Sequence, residues 1–154
     1  MVKLQDEIRQ SKPFRCVEEE AYLSIVRTAA MLEHALLQAL KAFDITPTQY
    51  NVLSILRGAG AEGLCRNEVG CRLVTAMPDV TRLLDRMEDT GLIVRQRSSA
   101  DRRVVSTKLT KKGLDLVGRL DATVVEIHER QFAHVDKRSL KTLIALLEDV
   151  RTRG

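Results

Sequence analysis

The sequence predicts a mainly α fold with one small β-hairpin, on three observations. Apolar residues recur every three or four positions through residues 17–43, 80–87 and 140–150, the period of helices buried on one side. Residues 92–97 and 103–109 are instead rich in β-branched and extended residues, and the polar run Ser98-Ser99-Ala100-Asp101-Arg102 between them suits a hairpin loop. A chain of 154 residues is the size of one domain around one hydrophobic core.

The first helix, over 17–43, places Leu23, Val26, Ala29, Ala30, Leu36, Leu37, Leu40 and Phe43 on one face, with Pro13 just ahead of it. Thr46-Pro47-Thr48-Gln49 announces the second: Thr46 caps the free amides, Pro47 suits the first turn, and Gln49 reaches back to complete a capping box. Tyr50, Leu53, Ile55 and Leu56 form its buried side, and Gly58 and Gly60 end it. A short helix over about 66–74 turns Val69, Leu73 and Cys71 inward, and Cys65 beside it reads as a second small core residue. After the turn Thr75-Ala76-Met77 another helix begins, with Pro78 and Asp79 in its first turn. Val80, Leu83, Leu84 and Met87 make its core stripe, Pro78, Asp79, Thr81, Arg82, Asp85 and Arg86 face out, and Gly91 closes it. Beyond the hairpin a long helix is expected over 114–132. Asp136 caps a last one, whose apolar stripe is Leu140, Leu143, Ile144, Leu147 and Val150.

Composition excludes several classes. Aromatic residues are 3% of the chain with no Trp, so the core is aliphatic. No apolar segment approaches the roughly 18–20 residues needed to cross a bilayer, and the charged start MVKLQDEIRQ leads into no signal segment, so a cytoplasmic protein with no membrane partner is expected. Cys16, Cys65 and Cys71 form no CxxC pair, and His34, His128 and His134 lack ligand spacing, so no metal or other cofactor is expected. The absence of a glycine-rich phosphate loop, of GxSxG and of HExxH argues against an enzyme. The net charge of +4 is modest, but it is concentrated: residues 66–112 hold eleven Lys or Arg against six Asp or Glu, while the remainder holds fourteen against fifteen. A localised polyanion site has this asymmetry.

Two consecutive helices followed by a hairpin make a winged helix-turn-helix at 46–112, with the long terminal helices at 17–43 and 114–151 left for dimerisation. Those helices carry more apolar surface than so small a lobe can cover, which calls for a second copy. A helix reads base edges in a major groove about 12 Å wide, while a basic hairpin reaches across phosphates toward the minor groove, so double-stranded DNA is the expected partner. A protein-interaction scaffold is the rival use of this fold, though it gives no reason for Thr81, Arg82 and Arg103 to form a basic exposed set.

The residues that carry this reading also resemble the MarR family of bacterial transcription regulators. Val80-Thr81-Arg82-Leu83-Leu84-Asp85-Arg86-Met87 resembles its recognition helix, Gly91-Leu92-Ile93 the helix exit, Asp101-Arg102-Arg103 the wing, and Leu109-Thr110-Lys111-Lys112-Gly113 the entry to the next helix. Ile45-Thr46-Pro47-Thr48-Gln49-Tyr50 resembles the start of the second helix more weakly, and the turn Val74-Thr75-Ala76-Met77-Pro78 departs from the pattern in lacking small residues. The resemblance covers nearly the whole chain in element order. It implies a single domain over 1–154 acting as a homodimeric repressor or activator whose wings flank a palindromic operator, with small-molecule relief as an added element.

Arg82 and Thr81 are the base-edge candidates, since an arginine suits guanine and a threonine methyl suits thymine. Asp79 reads as an acceptor for a cytosine amino group or as a helix-terminal acid, Arg86 as a phosphate contact or the partner of Asp85 or Glu88. Arg97, Arg102 and Arg103 belong to the wing, and the resemblance favours Arg103 in the minor groove with Asp101 bracing the hairpin. Thr48 and Gln49 are placed to hydrogen-bond phosphate besides their capping role. An effector is expected in a cleft between the dimer helices and the DNA-binding lobe, lined by Tyr22, Val26, Ala29, Tyr50 and Leu53. A rival oxidant-sensing switch rests on Cys16, beside Arg15 at a helix start, but Glu18, Glu19 and Glu20 oppose a thiolate there.

Overall fold

The computed structural model describes residues 2–97 and 105–153 and divides into two compact units, Met1–Val117 and Gly118–Gly154. In the first, a one-turn helix α1 (Leu4–Glu7) precedes α2 (Val17–Leu40), which tightens into a 3₁₀ turn at Lys41–Phe43 and stops at Asp44. Helix α3 (Pro47–Ala59) opens on the expected capping box: the Gln49 N–H donates to Thr46 Oγ1 at 3.2 Å, and the Thr46 N–H donates to Gln49 Oε1 at 2.8 Å. There follow β1 (Leu64–Cys65), α4 (Arg66–Arg72), α5 (Val80–Asp89), β2 (Ile93–Arg97) and β3 (Val105–Leu109).

The strands form an antiparallel sheet in the order β1-β3-β2, with Ile93 opposite Leu109, Arg97 opposite Val105, and Leu64 opposite Thr107. Leu40, Val52, Leu53, Leu56, Val69, Leu84, Met87 and Ile93 are buried, the aliphatic core that a chain without Trp requires. Strands β2 and β3 pair as expected, the loop residues Ser98-Ser99-Ala100-Asp101-Arg102 lying outside the described ones, but the third strand was not legible: two residues are too few to show any alternation.

Helix α6 (Lys111–Phe132) starts three residues ahead of the sequence expectation because Thr110 caps it. The Gly113 N–H donates to Thr110 Oγ1 at 3.0 Å, and the Thr110 hydroxyl donates to the Gly91 carbonyl at 2.7 Å. Thr110 therefore fastens the start of α6 to the turn that ends α5. Gly113 lies against the carbonyl of Leu92, leaving no room for a side chain. This is the physical content of Leu109-Thr110-Lys111-Lys112-Gly113.

In the second unit, Leu120, Val124 and Ile127 of α6 are buried at helical spacing. Helix α7 (Lys137–Arg153) is capped by Asp136, whose Oδ1 accepts from the N–H groups of Arg138 at 2.9 Å and Ser139 at 3.0 Å. Leu143, Ile144 and Val150, on the expected apolar stripe of α7, are exposed in the single chain, as are Tyr22, Ile25, Val26 and Met31 on α2. No helix among the described residues is long and apolar enough to cross a membrane.

Candidate nucleic-acid interface

Helices α4 and α5 approach closely through Gly70, where an added Cβ would lie 3.3 Å from Val80 Cγ2. A side chain from another helix holds the turn between them: Asn51 of α3 accepts from the Val74 N–H at 3.0 Å. With Leu73 at the edge of the core, this bond ties the start of the turn to α3. Cys71, expected inside, is exposed, because it stands two positions past the buried Val69 and so on the far side of the helix. Cys65 is half-buried and Cys16 is exposed.

Helix α5 starts at Val80, two residues past Pro78, because Asp79 serves as its N-cap and accepts from the Arg82 N–H at 2.9 Å. The same carboxylate lies 3.5 Å from Arg82 Nε, while the Arg82 side chain remains 79% exposed. Asp79 is thus a cap and a loose brace for Arg82. Beside it, Arg66 Nη1 donates to Thr81 Oγ1 at 3.2 Å and Nη2 to Asn67 Oδ1 at 3.0 Å. Arg66, which sequence reasoning passed over, pins α4 to the outward face of α5 through the Thr81 hydroxyl oxygen. Arg86 is exposed, and among the described residues it has no ion pair.

Thr48 and Gln49 are half-buried, with the Gln49 side-chain oxygen engaged in its cap, and Arg97 is exposed at the open end of β2. The wing residues Asp101, Arg102 and Arg103 lie outside the described residues. Of the expected effector-cleft residues, Tyr22, Val26 and Ala29 are exposed on α2, Tyr50 is half-buried, and Leu53 is fully buried on α3. Among the described residues no cluster of His, Cys, Asp and Glu is arranged to hold a metal.

Arg95 behaves differently from the other cations of this region. Its Nη2 lies 2.7 Å from Asp85 Oδ1 and 2.6 Å from Glu88 Oε2, its Nε donates to Glu88 Oε2 at 2.8 Å, and its backbone N–H donates to Glu88 Oε1 at 2.8 Å. Two carboxylates one turn apart on α5 thereby hold the middle of β2. No periodicity announces such a contact, because it joins a helix to a strand across Gly91. The Arg95 bonds, side chain first and then backbone, hold the Glu88 carboxyl below its usual range, and Glu88 and Asp85 raise Arg95 in turn.

The acid limb of stability should report this contact. A carboxylate whose folded pKa is depressed contributes stability that is fully present at neutral pH and is lost as pH falls below the ordinary Glu value of about 4.3 toward the folded one. Denaturant unfolding between about pH 3 and pH 7 is expected to show a shallower acid decline for Glu88→Gln than for the unsubstituted chain. Parallel curves would mean that Glu88 gains nothing from Arg95 in solution.

A second helix standing clear of the core on one side and fastened to a β-ribbon on the other is the arrangement of a winged helix-turn-helix regulator. The MarR family model matches residues 45–105, from just before α3 to the start of β3. A crystal structure of a MarR transcription factor from Planctomyces limnophilus is 38% identical, with 88% of this chain and 98% of that one covered at a TM-score of 0.67. The HTH-type transcriptional regulator TtmR of Methylorubrum extorquens is 33% identical over 140 residues, 90% of this chain and 71% of TtmR. A cysteine-to-serine mutant of MarR from E. coli, crystallised with operator DNA, is 25% identical, with 97% and 99% of the two chains covered at a TM-score of 0.78. The chain belongs to the MarR family. The stretches matched in curated relatives span from 49% to 78% of those proteins' lengths, and their names are those of regulators and repressors, none of an enzyme.

Proposed function

We propose that this protein is a sequence-specific DNA-binding regulator that acts as a homodimeric repressor on a palindromic operator. The observation that carries the reading is the N-terminal turn of α5, where the Arg82 side chain faces solvent, with the half-buried Thr81 beside it, on a helix whose opposite side is locked into the core. Arg82 and Thr81 read base edges in the major groove, Arg86 meets phosphate, and the wing, with Arg97, Arg102, Arg103 and the bracing Asp101, follows the backbone toward the minor groove. Pro78 and Asp79 set the start of that helix against the duplex, and Thr48 and Gln49 approach phosphate from α3.

Dimerisation is supported by the apolar side chains that α2, α6 and α7 leave exposed in the single chain, among them Tyr22, Ile25, Met31, Val125, Ile144 and Val150. Repression is the direction named for several curated relatives, and operator DNA is bound in the crystal of the E. coli relative. Release by a small molecule completes the proposal, with Tyr22, Val26, Ala29, Tyr50 and Leu53 at or behind the effector site.

The test combines sedimentation with selection of duplexes from a random DNA pool. The expected result is a dimer at micromolar concentration that enriches an inverted repeat whose half-sites lie about 10 base pairs apart. A monomer that enriches a single asymmetric half-site would overturn the dimeric reading, and enrichment of nothing would overturn the DNA-binding one.

A further inference from the structure

We propose that Arg95 is a positioning residue that clamps the wing to the recognition helix, so that α5 and β2 meet a duplex as one rigid surface. The proposal rests on the DNA-binding reading and goes beyond it, because it assigns to a basic residue of this region a role in which it never touches DNA. Within 2.7 Å of its guanidinium stand two carboxylates, Asp85 and Glu88, both from α5. A cation so neutralised presents little positive potential to a phosphate. The clamp is also more than one surface ion pair, which by itself contributes little. It is a fork of charge-assisted bonds to two acids, with the Arg95 backbone N–H bonded to Glu88 as well, and the Arg95 and Glu88 side chains are only 29% and 34% exposed.

Its consequence runs along the strand. Arg95 and Arg97 project from the same face of β2, because side chains alternate with a period of two. Fixing Arg95 against α5 therefore fixes the direction in which Arg97 leaves the strand and the line along which the wing departs. A wing held in place before binding loses less conformational freedom on contact with the duplex. Loss of the clamp is expected to weaken the operator complex without removing any contact to it.

The experiment uses the full chain, the operator obtained by selection, and the variants Arg95→Ala, Arg95→Lys and Glu88→Gln. Arg95→Ala and Arg95→Lys should each weaken operator binding about tenfold while leaving the dependence of log affinity on log salt unchanged, since lysine keeps the charge but not the planar fork. In a chain already carrying Arg102→Ala and Arg103→Ala, Arg95→Ala should add less than about twofold, because a clamp acts through the wing it holds. A salt slope reduced by about 0.9 per subunit, with Arg95→Lys restoring it, would show a phosphate contact and overturn the proposal. Hydrogen exchange in the free protein reads the clamp without DNA: the amides of 93–97 should exchange faster in Arg95→Lys and Glu88→Gln. Unchanged exchange overturns the clamp. Faster exchange in a chain that binds no duplex supports the clamp and overturns the DNA-binding reading alone.

Discussion

Arg82→Ala is expected to lower affinity for the cognate operator by about 1–3 kcal/mol per half-site while leaving binding to random DNA nearly intact. The residue stands on the first turn of α5, its side chain is 79% exposed, and its brace to Asp79 at 3.5 Å is too loose to occupy the planar fork. A bidentate arginine on guanine is among the most discriminating single contacts to a base pair, because the wrong base leaves the donors unpaired. In a symmetric dimer both half-sites lose it, so the total is on the order of 2–6 kcal/mol, or about thirty-fold to twenty-thousand-fold. The fold should be nearly unaffected, since an exposed arginine buries little. Titrations on selected and random duplexes check the prediction, and equal losses on both would show that Arg82 meets only phosphate.

Gly113→Ala is expected to destabilise the folded chain by about 2 kcal/mol. Two effects oppose each other at this position. Alanine is the better helix former by about 0.8–1 kcal/mol, which would favour the change in a solvated helix. Here, however, the added Cβ would overlap the carbonyl oxygen of Leu92 and crowd Leu109 Cδ2 at 3.3 Å. That carbonyl also accepts from the Thr110 N–H at 3.1 Å, so moving it away disturbs the cap of α6 as well. Overpacking against backbone outweighs the gain in propensity. Gly91 makes the control: its φ of 71° disfavours a side chain, but nothing lies near its absent Cβ. Gly91→Ala should therefore cost about 1 kcal/mol, from conformation alone. Chemical denaturation of both variants separates the mechanisms, and a Gly113→Ala chain as stable as the parent would mean that α6 can shift without loss.

The sequence by itself determined those features whose cause is local or periodic. The box of Thr46 and Gln49, the cap at Asp136, and the stripe of Val80, Leu83, Leu84 and Met87 each depend on residues within two turns of one another; the box and the cap are realised, and of the stripe the three later residues are buried and Val80 is half-buried. The concentration of positive charge in 66–112 needed only counting. The outward face of α5 was legible for the same reason, since a helix with one buried stripe leaves its other positions outward. Tertiary structure decided what depends on elements far apart in the chain. The two-residue strand β1 exists only because β3 pairs with it, Asn51 completes a turn that begins 23 residues later, and Arg66 reaches Thr81 across the gap between two helices. Arg95 shows the difference most sharply. Read as a charge, it joins the positive field of the wing, but in the fold Asp85 and Glu88 neutralise it and make it a fastening. Net charge is a sum over residues, whereas the potential a duplex meets depends on which cations the fold has already paired.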